Sequence, residues 1–142
     1  MGVCIGSMAS SLSKLVEFAK ESHQENYKNI NRLAMLQVVS NISAAALGVQ
    51  YQLKGPSMSV STACATGLSA IIEGLKWIRL NEADVVIVGA SDDVYNPLYL
   101  YGNLRLQAMS SKVYDRPEMS SRPFDKQRSG FIMGEGSGVL VL

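Results

Sequence analysis

"SVSTACATGLSA", residues 59–70, contains the change of period that decides the fold. On its upstream side, "SMSVST" (57–62) alternates side chains at the two-residue period of a strand. On its downstream side, Leu68, Ile71, Ile72, Leu75 and Ile78 recur on one helical stripe, which predicts a helix over 64–80. Next comes "ADVVIVGAS" (83–91), a continuous run that fits a fully buried parallel strand over 84–90. Strand, helix and strand make a βαβ unit, so the fold class is α/β.

Working outward, "GVCIGS" (2–7) reads as a short buried strand. "SLSKLVEFAKES" (11–22) has Leu12, Leu15, Val16 and Ala19 at helical spacing, with Ser10 or Ser11 as N-cap. A polar loop over 23–31 carries Lys28, and the Ala-rich stretch 32–53 is long and apolar enough for one buried helix. "KGP" (54–56) marks a turn. Residues 92–129 read as loop, short helix and loop, and "GFIMGEGSGVLVL" (130–142) as a Gly-rich turn entering a strand. That strand-like run reaches Leu142 without a cap or polar tail, the pattern of an excised or incomplete domain.

Composition narrows the function. The 142 residues suffice for one domain, and 47% apolar against 18% charged residues argues for a packed core. Thirteen basic and twelve acidic residues leave a net charge of +1, which gives no electrostatic footprint for nucleic acid or a membrane surface. No apolar run approaches the ~20 residues of a membrane helix. The first twelve residues lack the basic region and long apolar core of a secretory signal. Two cysteines, Cys4 and Cys64, and a single histidine, His23, make a metal site an unattractive reading. Counting alone allows a Cys4–Cys64 disulfide; without a secretion signal, two reduced thiols are the default.

Cys64 falls where strand gives way to helix, among the small residues Ala63, Ala65, Thr66 and Gly67. The N–H groups and dipole of a helix start favour an anion, and the thiolate is the nucleophilic form of cysteine. Small neighbours suit a sharp strand-to-helix turn that leaves room for a substrate. The competing reading is a small buried hydrophobe, a common fate of free cysteine, and the local pattern alone leaves both open.

Three segments in order carry a resemblance: "GPSMSVSTACATGLSAI" (55–71), "ADVVIVGASDD" (83–93) and "SSRPFDKQRSGFIMGEGSGVLVL" (120–142). Together they resemble the β-ketoacyl-(acyl carrier protein) synthases, the condensing enzymes of fatty-acid and polyketide synthesis. The thiolases share the fold and a helix-start cysteine but lack the third block. The resemblance implies a thiolase-like layered α/β/α fold of which residues 1–142 are part of the N-terminal half. The family's first strand and helix would precede residue 1, and its whole C-terminal half would follow Leu142.

The resemblance makes Cys64 the catalytic residue, which takes an acyl group from a carrier thioester before decarboxylative Claisen condensation with malonyl carrier protein. It implies no cofactor and no metal, because the substrates ride on the phosphopantetheine arm of acyl carrier protein. The family's two catalytic histidines lie in C-terminal motifs that find no match here. His23 matches neither and reads as a surface residue, so this chain would not complete condensation alone. Acyl carrier protein is the implied partner, with Lys28, Arg32 and Arg105 as candidate contacts, and a homodimer would form through strand 57–62. The implied location is cytoplasmic, or mitochondrial with the targeting segment lost. Two alternatives stand beside this one: a ketosynthase portion of a polyketide synthase, and a non-enzymatic truncation product.

Other polar residues carry architectural expectations. Glu135, between glycines, is expected to bond backbone in a tight turn. Arg122, Asp125 and Arg128 could form a buried ion-pair set, and Asp92 and Asp93 could cap a turn after the strand. Asn103, with Leu104 and Leu106, lies where the family lines its acyl pocket. Tyr95, Tyr99 and Tyr101 are expected to pack in a core or interface.

Overall fold

The computed structural model describes residues 1–9, 11–23, 28 and 30–142, and the chain divides into two units. The first unit comprises Met1–Asp93 with Gly136–Leu142, and the second Val94–Glu135. Ser10 and most of the polar loop 23–31 lie outside the described residues.

The first unit is built on four strands: β1 (Gly2–Gly6), β2 (Ser57–Met58), β3 (Val86–Asp92) and β4 (Gly136–Val141). They lie in the order β2-β1-β3-β4. β1 runs parallel to both β2 and β3, while β4 is antiparallel to β3. Four helices belong to this unit: α1 (Leu12–His23), α2 (Ala34–Val38), α3 (Ile42–Gln50) and α4 (Thr66–Arg79). The expected βαβ unit is present as β2-α4-β3, but its two strands are not neighbours, since β1 lies between them.

The pleat sorts the core into two layers. Side chains along a strand alternate between faces. Cys4, Val86 and Val88 therefore pack on one side with Ala70 and Trp77 of α4. Val3 and Ile5 pack on the other side with Ala44 and Leu47 of α3, joined by Ile87. Every residue of β1 is buried, because a central strand is covered by a helix on each face. This is the helix-sheet-helix layering expected for the fold class.

Four expected elements shift. The strand 57–62 keeps ladder pairing only at Ser57 and Met58, opposite Val3 and Cys4. Beyond them, single bonds hold the run to β1: Ser59 Oγ donates to Ile5 O at 2.7 Å, and Ser7 N to Val60 O at 3.3 Å. The helix expected over 64–80 starts at Thr66, because residues 62–65 form a turn. The single buried helix expected over 32–53 is two helices, broken where Val39 takes an extended ψ of 139°. Only Ala34 and Ala44 of those two helices are buried. The strand expected over 84–90 is placed at Val86–Asp92, and its terminal carboxylate closes the turn after β1 rather than one that follows it. Asp92 Oδ1 accepts from Ser7 Oγ at 2.8 Å, Met8 N at 2.9 Å and Ala9 N at 3.0 Å.

The second unit holds α5 (Pro97–Arg105), whose start is fixed by Asn96: its Oδ1 accepts from Tyr99 N at 2.9 Å, with Pro97 opening the helix. Val94, Met109 and Met133 are its buried apolar residues. Among the described residues, no helix is long and apolar enough to cross a membrane.

Gly74 fixes the distance between α4 and the sheet. A Cβ built there would collide with Cγ1 of Val88 and come within 3.3 Å of Cγ1 of Val86. In an exposed helix, glycine to alanine adds about 1 kcal/mol of stability. At this contact overpacking dominates, and Gly74→Ala is expected to lower stability by about 1–3 kcal/mol. Urea denaturation measures it, and an unchanged or raised midpoint would contradict the close approach of helix and strand.

Candidate active site

The turn that carries Cys64 is built from its flanking residues. Ala65 N donates to Thr62 O at 3.2 Å, and Thr66 N to Ala63 O at 3.1 Å, closing two overlapping turns around the cysteine. Making both bends the backbone at Ala63 into the left-handed region, φ +52°. An L-residue there costs about 1–2 kcal/mol, and such strain persists only where surrounding contacts hold it. The contacts are present. Thr66 Oγ1 donates to Ala63 O at 2.6 Å and accepts from Thr62 N at 2.9 Å, while Thr62 Oγ1 and Ser69 Oγ are 2.7 Å apart.

Cys64 is thereby exposed at the tip of a strand-to-helix turn, two residues ahead of α4. The helix is 14 residues long, and its positive N-terminal end faces this turn. Cys4 is the opposite case. It is buried in β1, and burial, with Glu73 adding a smaller effect, pushes its thiol from an ordinary 9.0 up to about 11. One cysteine is accessible and the other is shielded and held protonated. Both are free thiols, which resolves the disulfide question.

The remaining residues sort differently. His23 ends α1 and is exposed. Asp93 accepts from Ser13 Oγ at 3.3 Å. Among the described residues no group of three or more histidine, cysteine, aspartate or glutamate side chains is arranged to hold a metal. In the second unit Glu135 does bond backbone: its Oε1 accepts from Val94 N at 3.0 Å and Tyr95 N at 2.7 Å. The expected buried ion-pair set does not form. Arg122 Nε donates to Met119 O at 2.8 Å, Arg128 Nη1 to Asp125 O at 3.1 Å, and the Asp125 carboxylate accepts from Gln127 N. Each charge is satisfied locally within a turn, near solvent. Asn103 turns back on its own helix, Nδ2 donating to Tyr99 O at 2.9 Å. Tyr95 and Tyr101 are largely exposed rather than packed in a core, and the Tyr95 hydroxyl donates to Met133 O.

The Thr66 clamp and the left-handed alanine were not anticipated. The available signal was Thr66 itself, a hydroxyl residue at the first helical position, where such side chains bond nearby backbone.

The β-ketoacyl synthase N-terminal domain family matches residues 1–142, the whole chain. The chain belongs to that family. It is 37% identical over 141 residues to a 3-oxoacyl-[acyl-carrier-protein] synthase homolog of Saccharomyces cerevisiae, covering 99% of this chain and 30% of the yeast protein. It is 39% identical over 141 residues to the chloroplastic 3-oxoacyl-[acyl-carrier-protein] synthase II of Arabidopsis thaliana, covering 99% of this chain and 26% of that one. Other relatives are named as mitochondrial enzymes. In three dimensions it is similar to a β-ketoacyl synthase from Burkholderia phymatum, with TM-score 0.86 and 26% identity over 99% of this chain and 34% of that chain. It also resembles a chain from the complex of a type II polyketide-synthase acyl-carrier protein with its ketosynthase. There the TM-score is 0.88 and the identity 26%, over 99% of this chain and 36% of that chain. The chain spans about a third of the length of the curated relatives it matches.

The geometry predicts which thiol reacts. With iodoacetamide between pH 7 and 9, label is expected on Cys64, while Cys4 stays unmodified in the folded chain. Peptide mapping by mass spectrometry reads this directly. Equal labelling of both cysteines, or Cys4 first, would contradict the site.

Proposed function

We propose that this chain supplies the acyl-accepting cysteine of a 3-oxoacyl-(acyl carrier protein) synthase of fatty-acid synthesis. The single observation carrying the reading is the exposed Cys64 on a strained turn ahead of α4, within a family whose named relatives are such synthases. In the transfer step the Cys64 thiolate attacks the carbonyl carbon of an acyl thioester. A new carbon–sulfur bond forms on Cys64, the carbon–sulfur bond to the carrier breaks, and the carrier sulfur leaves as a thiolate that takes a proton from solvent, the destination of the proton Cys64 gave up. The Thr62, Ala65 and Thr66 amides are used within the turn, which leaves the Cys64 backbone N–H as the donor this chain would offer the oxyanion of the tetrahedral intermediate.

The second stage, decarboxylation of malonyl thioester and attack of the carbanion on the acyl-cysteine, needs acid–base groups that this chain does not carry. Its only histidine, His23, is exposed at the end of α1. We therefore read residues 1–142 as part of an N-terminal ketosynthase domain that performs acylation but not condensation. Exposed Lys28 and Arg32 in the first unit, and separately exposed Arg105 in the second, are each candidate contacts for the acidic acyl carrier protein, where complementary charge speeds encounter. A polyketide role has the likeness to the polyketide ketosynthase complex in its favour; relatives at 31–39% identity named 3-oxoacyl-[acyl-carrier-protein] synthases support the first reading.

Two experiments test this. Incubated with an acyl carrier protein thioester, the chain is expected to gain one hydroxylamine-labile acyl group on Cys64, which Cys64→Ser abolishes. With malonyl carrier protein added, it should release no β-ketoacyl product. Acylation at another residue, or steady turnover by this chain alone, would contradict the reading. The second experiment concerns assembly. β2 is an edge strand, and the run 57–62 contains no proline or lysine to block pairing. We infer that two copies join there about a two-fold axis, so Val60→Pro should shift a sedimenting dimer toward monomer. A dimer left intact by that substitution would rule this edge out.

A further inference from the structure

Thr66 is 2% exposed, yet its polar atom is fully used. Its Oγ1 donates to Ala63 O at 2.6 Å and accepts from Thr62 N at 2.9 Å, so one hydroxyl grips the two residues that precede Cys64. Its methyl group is gripped in turn by β1. A Cβ at Gly6 would collide with Thr66 Cγ2 and come within 2.7 Å of Val60 O, so only glycine at that strand end admits the threonine. The side chain thus links the end of β1, the left-handed Ala63 and the first turn of α4. Cys64 hangs between clamped positions. Without the hydroxyl, Ala63 O loses one of its two donors and Thr62 N its acceptor, and the two backbone turn bonds with the Thr62–Ser69 pair are left to hold a non-glycine residue at φ +52°.

We propose that Thr66 is the positioning residue of the acyl-transfer step: its hydroxyl holds Ala63 left-handed, so that Cys64 Sγ stands clear of the strand end in front of α4. The proposal rests on the reading of Cys64 as acyl acceptor. Thr66 touches no substrate and acts only through the backbone that carries the cysteine. A merely structural threonine would change stability when replaced and leave the alkylation of Cys64 in the folded chain where it was. A positioning threonine sets the rate of that alkylation, because its hydroxyl holds the backbone that presents the cysteine.

The test uses the 142-residue chain, with circular dichroism confirming fold in each variant. The rate of Cys64 alkylation by iodoacetamide is followed against pH. Thr66→Val keeps the shape and removes the hydroxyl. It removes both hydrogen bonds and should slow alkylation across the profile by about fivefold or more, since one such bond alone is worth about two- to tenfold. Thr66→Ser restores the hydroxyl and should recover the wild-type profile. Ala63→Gly combined with Thr66→Val should recover most of it as well, since glycine takes φ +52° without a clamp. A Thr66→Val profile superimposed on wild type overturns the proposal, as does a Thr66→Ser variant as slow as Thr66→Val. Should Thr66→Val fail to fold, the other two variants decide: either one alkylating slowly overturns it. Acyl transfer from carrier thioester is measured on wild type in parallel. Absent transfer with a displaced Thr66→Val profile would refute the acyl-acceptor reading and keep the clamp. Transfer to Cys64 with an unmoved profile would do the reverse.

Discussion

A single left-handed alanine sets the geometry of this site. Ala63 at φ +52° turns the chain sharply enough for a strand run to deliver Cys64 to the mouth of a helix within two residues. That conformation is unfavourable for any residue with a Cβ, so it must be held. The holding groups are hydroxyls: Thr66 on the turn itself, and the Thr62–Ser69 pair beside it. Glycine at residue 6 makes room for the Thr66 methyl at the end of the central strand. Cys64 is thereby anchored to the most buried strand of the chain while it remains exposed.

The sheet supplies the rigidity behind that turn. Because neighbouring side chains of β1 and β3 point to opposite faces, α4 and α3 can each bury a separate cluster against the same strands. Gly74 lets α4 approach β3 closely, and this places the helix start at a fixed distance from the end of β1. The same layering leaves apolar side chains outward. Leu68 and Ile72 on α4, and Val139, Leu140 and Val141 on β4, are all substantially exposed.

Sequence patterning revealed the elements with long, strict periods. The buried strands near residues 2–6 and 86–92 and the helix to Arg79 were legible, because alternation and the 3.6-residue stripe are imposed by the core itself. Cys64 was legible as the candidate site only when its place between two periods was joined to the family resemblance, since the local pattern alone left a buried thiol equally open. What failed was local. Nothing in "QVVSN" besides Ser40 and Asn41 signals the break at Val39, since no glycine or proline stands there. Small residues Ala63 and Ala65 carry no periodicity, so the helix start was placed two residues early. Arg122, Asp125 and Arg128 look like ion pairs by charge and spacing, but the guanidiniums found turn carbonyls within three residues. The sheet order was not legible either: alternation tells which face a residue occupies and is silent on which strand lies beside it.

The central claim, that a hydroxyl clamp holds the Cys64 turn in its strained form, has a direct readout in the Thr62 amide, whose hydrogen bond runs to Thr66 Oγ1 at 2.9 Å. Hydrogen–deuterium exchange followed residue by residue in the native chain measures whether that bond persists. A locked turn predicts that the Thr62 amide exchanges with protection close to that of the β1 amides, which open only with the sheet. Exchange of Thr62 at the rate of an unstructured peptide, while β1 stays protected, would show the turn open in solution and contradict the account.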